Sequence, residues 1–117
     1  MTNFDLYEFD SPDEIGSGQN MQEDFLNKLD EARTLAGVPF VINSGYRTIE
    51  RNNRVGGKSN SAHLFGYAAD ISCSNSRDRF IIINALIQSG FNRIGIADTF
   101  IHVDSDPNKS KEVIWTY

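Results

Sequence analysis

Two histidines and one aspartate carry the clearest chemistry in this chain. His63 stands seven residues before Asp70 in Ser61-Ala-His-Leu-Phe-Gly-Tyr-Ala-Ala-Asp70. His102 lies in Phe100-Ile-His-Val-Asp104, and the chain has no third histidine. Imidazole nitrogen and carboxylate oxygen are both good ligands for a borderline cation such as zinc. Two histidines and one aspartate make a three-ligand set with a fourth position open. That is the pattern of a catalytic zinc; structural zinc sites are usually closed by four protein ligands.

The surroundings of each residue sharpen this. Gly66, Ala68 and Ala69 leave room for backbone and ion to approach each other. An unpaired Asp70 carboxylate among Ala68, Ala69 and Ile71 would carry a desolvation cost. A cation relieves it; an arginine is the structural alternative. His102 lies between Ile101 and Val103, and strand alternation puts Asp104 on its face. Without a metal it would make a cross-strand hydrogen bond.

Ser44-Gly45-Tyr46-Arg47, then Ser61-x-His63-x-x-Gly66-x-Ala68-x-Asp70, then His102-x-Asp104 resembles the zinc D-Ala-D-Ala carboxypeptidase family. Within it the chain is most similar to the short single-domain members found in bacteriophage and bacterial genomes. The resemblance runs from about Val38 to the C-terminus. It implies Zn2+ held by His63, Asp70 and His102, the compact fold shared with hedgehog-type domains, and hydrolysis of an amide in a peptidoglycan stem peptide by metal-activated water. It gives Arg47 the role of anchoring substrate and polarising the scissile carbonyl. A planar guanidinium grips a carboxylate with two parallel hydrogen bonds; the structural alternative is a salt bridge to Glu50 or a loop carboxylate. Ser61 and Tyr46 are expected beside the substrate, with Tyr67 and Trp115 as further candidate walls.

The general base departs from the family pattern. Many relatives place an acid or histidine three positions before the last ligand histidine. Here that position is Thr99, which cannot accept the proton. Asp104 is the preferred base and Asp98 the alternative. The other role open to Asp104 is to accept from His102 and orient its ring. Carboxypeptidase and lysin-type endopeptidase both fit the residues. A non-catalytic zinc module, binding cell wall or serving in a phage particle, is the alternative from another class.

The elements that must position these residues can be read along the chain. Residues 1 to 19 read as an irregular lead-in. Residues 21 to 36 read as an amphipathic helix, with Met21, Phe25, Leu29 and Ala32 on one stripe, Asn20 as N-cap and Gly37 as stop. A strand over 38–44 ends at Gly45, and a short helix opens at Thr48. A Gly56-Gly57 loop leads to His63. A strand covers 67–72, a helix capped by Ser76 covers 76–89, and strands cover 93–97, 100–104 and 113–117. This order predicts a single α+β domain over 1–117, with helices packed on one face of a mainly antiparallel sheet.

Composition excludes several other classes. The 117 residues carry a formal charge of −5, which disfavours sequence-independent nucleic-acid binding and a polybasic membrane anchor. No apolar run approaches membrane-spanning length. A monomer without nucleic-acid or membrane partners is expected. The N-terminus lacks a basic segment followed by an apolar run. Synthesis in the cytoplasm is therefore expected, with access to the wall through phage lysis, a virion, or a signal already removed. Gly56-Gly57-Lys58-Ser59 lacks phosphate-loop spacing because residue 52 is Asn. The acidic N-terminal residues lack calcium-loop spacing. Cys73 is the sole cysteine, so no intramolecular disulfide forms; it reads as a small side chain at a strand end rather than a ligand or nucleophile.

Overall fold

A computed structural model describes residues 1–117. Helix α1 spans Glu23–Ala36, strand β1 Ile42–Ser44, and α2 Ile49–Arg54. Strand β2 follows at Ala68–Ser72 and α3 at Ser76–Gln88. The chain closes with β3 Arg93–Ile96, β4 Phe100–Asp104 and β5 Val113–Thr116. The five strands form one sheet in the order β1-β2-β4-β3-β5. All pairings are antiparallel except β3 with β5, which is parallel. The expected α+β fold is therefore present, with a mixed rather than uniformly antiparallel sheet. The parallel pairing arises because residues 105–112 carry the chain past β3 to its outer side. There Val113 N–H donates to the Asn92 carbonyl at 3.0 Å.

Alternation divides the sheet into two faces. Ala69, Ile71, Ile94, Ile101 and Val103 share one core with Phe25 and Leu29 of α1 and Ile82 and Leu86 of α3. Burying apolar area against that face is the main stabilising term for such a layer. The opposite face carries Asp70 on β2, opposite His102 on β4. His102 lies opposite Gly95 on β3, and Gly95 opposite Trp115 on β5. On the other side, Asp70 lies opposite Ser44 on β1. One transverse row of facing residues thus crosses all five strands, with Gly95 as its gap.

Ser44 joins that row through a register shift. Ile42 lies opposite Ile71, but Ser44 lies opposite Asp70, with a bulge between. Regular pairing would have kept Ser44 on the core face with Ile42; the extra residue turns it over.

The segment expected as an irregular lead-in contributes more than a tether. Leu6–Phe9 and Ser17–Asn20 form 3-10 turns, and Phe4 and Phe9 enter the core. Gly45 sits against this segment: a Cβ there would lie 2.8 Å from the Phe9 Cα. Thr48 caps α2 as expected, accepting from Arg51 N–H. The caps of the long helices differ from expectation. Asn75, one residue before Ser76, accepts from Asp78 N–H. At α1 the N-cap is Gln22, without a side-chain bond.

Candidate metal centre

Three elements deliver the candidate ligands. His63 sits on a 3-10 turn, Ala62–Phe65, ended by Gly66 in the left-handed region at φ 77°. Gly66 is required for space as well, since a Cβ would lie 2.3 Å from the Asn20 carbonyl oxygen. Asp70 and His102 face each other from β2 and β4. His63, Asp70 and His102 are all buried and offer ligand atoms within 4.8 Å of one another. His102 Nδ1 lies 2.9 Å from Asp70 Oδ1, and His63 Nε2 lies 3.3 Å from the same oxygen.

The outer nitrogens settle which inner ones are free. His63 Nδ1 is 2.7 Å from the Gly45 carbonyl. A carbonyl only accepts, so Nδ1 carries a proton and Nε2 is the nitrogen turned inward. His102 Nε2 is 2.7 Å from Asp104 Oδ2 and Nδ1 is 2.9 Å from Asp70 Oδ1; both oxygens accept, so Nε2 donates outward and Nδ1 is the inner nitrogen whose proton a metal would displace. With those inner nitrogens deprotonated, two imidazole lone pairs and a carboxylate would converge in a buried space. This donor set calls for a cation, and its nitrogen and oxygen composition suits a zinc-type ion.

Asp104 meets the far nitrogen of the His102 ring rather than the cluster. Its Oδ1 accepts from Arg93 Nε at 2.7 Å and from Asp106 N–H at 3.2 Å, and the residue is 2% exposed. Both oxygens are engaged, which is the ring-orienting arrangement rather than that of an open base. Asp98, the alternative base, lies in the exposed turn before β4. It is not part of the His63, Asp70 and His102 cluster. Thr99 is exposed in the same turn.

Arg47 reaches the centre from the segment after β1. Its Nη2 lies 3.5 Å from Asp70 Oδ2, its Nε donates to Ser44 Oγ at 3.1 Å, and its Nη1 to Asn52 Oδ1 at 3.2 Å. The alternative partner, Glu50, is not among these contacts. Ser61 Oγ accepts from His63 N–H and so caps the ligand turn. Tyr46 and Tyr67 line a surface groove of about 450 Å³ that includes none of the three ligand residues. Trp115 does reach the centre, with its ring 5.6 Å from that of His102 and under the Arg93 guanidinium at 5.1 Å. Gly95 makes this possible: a Cβ there would lie 2.6 Å from Trp115 Nε1. Cys73 is buried in the core and stays outside the cluster.

Arg93, Asn52 and Ser44 are the residues that sequence reasoning missed. Arg93 begins a strand and Asn52 sits in a short helix, and nothing local marks either one. The one signal was Ser44, which belongs to the Ser-Gly-Tyr-Arg motif.

Without metal, charges hold the cluster together. Burial opposes charge on His102, but hydrogen bonds to Asp104 and Asp70 outweigh it and raise the imidazole above its ordinary value of 6.5. Burial likewise opposes the Asp70 charge, and the His102 and His63 contacts outweigh it, holding the carboxyl well below its ordinary 3.8. The His102 contribution to stability is complete below its unfolded pKa and fades as pH rises through the raised folded value. The Asp70 contribution is complete above its unfolded pKa and fades as pH falls. The metal-free protein therefore keeps both between about pH 4 and 6.5. A metal must displace the His102 proton, so its hold strengthens as pH rises. The gap in melting temperature between metal-loaded and chelated protein should widen from about pH 6 to about pH 8. A gap that narrows over that range would contradict this ligand set.

Comparison with known proteins agrees with the geometry. The family model described as Peptidase M15 matches residues 8–104. A zinc D-Ala-D-Ala carboxypeptidase of Streptomyces albus G is 38% identical over 68 residues, 57% of this chain and 26% of that protein. The matched segment is thus about a quarter of the relative's length. No helix here is long and apolar enough to cross a membrane. With a family match over most of its length, and the His63, Asp70 and His102 cluster inside that match, this chain belongs to the peptidase M15 family.

Proposed function

We propose that this domain is a zinc peptidase of peptidoglycan stem peptides, acting as a D,D-carboxypeptidase. The observation that carries the reading is the convergence of three ligand atoms beside a guanidinium with donors to spare. His63, Asp70 and His102 would hold the zinc. The ion would supply Lewis-acid polarisation and a water that ionises near neutral pH.

The chain's own residues do the rest. Of the five N–H donors of a guanidinium, Arg47 commits three, to Ser44, Asn52 and Asp70. The two that remain can grip the free carboxylate of a terminal D-Ala, or the carbonyl oxygen as charge develops on it. Asp104 acts through His102 by fixing its tautomer, and Trp115 walls the open side.

Incubating zinc-loaded protein with muropeptides and weighing the products tests this directly. Zinc-dependent release of one D-Ala is expected. Cleavage within the stem or cross-bridge would instead indicate a lysin-type endopeptidase. Arg47→Lys should lower kcat/KM by about 10- to 100-fold, the worth of a charged hydrogen bond, and lower the melting temperature by a smaller measure, because the buried Asn52 Oδ1 loses its partner. Parental activity in that variant would make Arg47 structural.

One observation favours a second reading, a zinc-bearing wall-binding or phage structural module. Asp104 has both oxygens engaged, and Thr99 cannot serve as a base. Full zinc occupancy with no fragment released from any muropeptide would establish that reading.

A further inference from the structure

Asn52 is a polar residue in a helix of six residues, yet it is 1% exposed. Asparagine is a weak helix former, and a buried side-chain amide is costly unless its groups are paired. Both ends are paired here. Asn52 Nδ2 donates to the Lys58 carbonyl at 2.9 Å. That carbonyl only accepts, so the amide orientation is fixed and Oδ1 must face Arg47, accepting from Nη1 at 3.2 Å.

Gly57 completes the arrangement. Its N–H donates to the Asn52 backbone carbonyl at 2.9 Å. A Cβ on Gly57 would lie 2.1 Å from Asn52 Oδ1 and 3.0 Å from Arg47 Nη1. The glycine is therefore needed for space, since its backbone is not in the left-handed region. Residues 47 to 58 close on themselves: Arg47 opens the loop, Asn52 spans it, and Gly57-Lys58 seals it. The base of this unit is pinned by Thr48, whose hydroxyl donates to Asp13 Oδ2 at 2.6 Å.

Ser44 holds Nε, Asn52 holds Nη1 and Asp70 touches Nη2. These contacts come from three elements and fix the plane of the guanidinium. The Asp70 contact, at 3.5 Å, is the longest of them. We infer that Asn52, with the space left by Gly57, is the positioning residue that aims Arg47 at the substrate carboxylate, and so sets the preference for a free C-terminal acid. This inference rests on the Arg47 reading above. Asn52 itself touches neither substrate nor metal.

The test uses a D-alanyl-D-alanine analogue whose scissile amide is replaced by a non-hydrolysable linkage, prepared as free acid and as carboxamide. Binding of each to zinc-loaded protein is measured by calorimetry. For Asn52→Ala, the dissociation constant of the acid should rise about tenfold, the scale of one charge-assisted hydrogen bond. That of the carboxamide should stay within about twofold, well inside the scatter of a neutral contact. Zinc content should remain at the parental level. Gly57→Ala should reproduce the loss, because it forces Asn52 and Arg47 apart while changing neither; it carries the test if Asn52→Ala does not fold. A folded, zinc-replete variant with the parental acid-to-amide ratio overturns the inference. Arg47→Lys separates the two levels. If it loses the ratio while Asn52→Ala and Gly57→Ala keep it, only the role of Asn52 fails. If Arg47→Lys also keeps the ratio, the Arg47 reading fails and this inference with it.

Discussion

His102→Ala should yield protein that retains no zinc through gel filtration and has lost about a thousandfold or more in turnover. Three ligand atoms meet in this centre, and the change leaves two. A metal contributes several kcal/mol of charge stabilisation in such reactions, at tenfold in rate per 1.36 kcal/mol. The loss extends beyond the ion. Asp70 and Asp104 contact opposite sides of the same imidazole, and alanine leaves both buried carboxylates without it. The variant should therefore also melt earlier than chelated parent. His63→Ala should lose zinc equally but leave only one carboxylate, Asp70, short of a partner, besides the Gly45 carbonyl and the edge-on contact with the His102 ring. Elemental analysis and turnover on the same samples decide the matter. Stoichiometric zinc in His102→Ala would remove His102 from the ligand set.

Asp104→Asn should weaken zinc binding by roughly 10- to 100-fold, the usual effect of removing a partner behind a ligand histidine. Turnover should be restored when zinc is supplied in excess. The asparagine amide must choose between facing Arg93 and facing His102, and neither orientation reproduces the two charge-assisted contacts. A base role gives the opposite pattern: zinc affinity intact and turnover absent at any zinc concentration. Chelator competition followed by assays across a zinc titration distinguishes the two. Zinc-saturated Asp104→Asn that remains inactive would restore the base assignment.

The local features of the fold were legible in the sequence because they obey local rules. The stripe of Phe25, Leu29 and Ala32 defined α1 to within two residues. The glycine after it takes the left-handed stop at φ 68°. Alternation placed His102 and Asp104 on one face of β4, as found. The candidate ligands were legible because small residues around them had no other evident purpose. Three things were hidden. The parallel course of β5 depends on how residues 105–112 cross the sheet, and no turn residue encodes that. The inversion of Ser44 depends on a bulge that shifts register by one residue. The partners of Arg47 and Asp104 come from α2 and the start of β3, distant in pattern though not far in sequence. Pairing of buried polar groups between elements leaves no periodic trace, so nothing in the sequence marks Asn52 or Arg93.

The transverse row has a consequence for how this centre moves. Asp70 and His102 stand on adjacent interior strands of the sheet, β2 and the central β4. Their sequence neighbours Ala69, Ile71, Ile101 and Val103 are fully buried on the reverse face. The pair cannot separate by a loop opening; the ladder beneath them must part, and the core with it. Amide hydrogens of β2 and β4 around the pair should therefore be among the slowest to exchange in the chain, and a cavity cut beneath the row should quicken them.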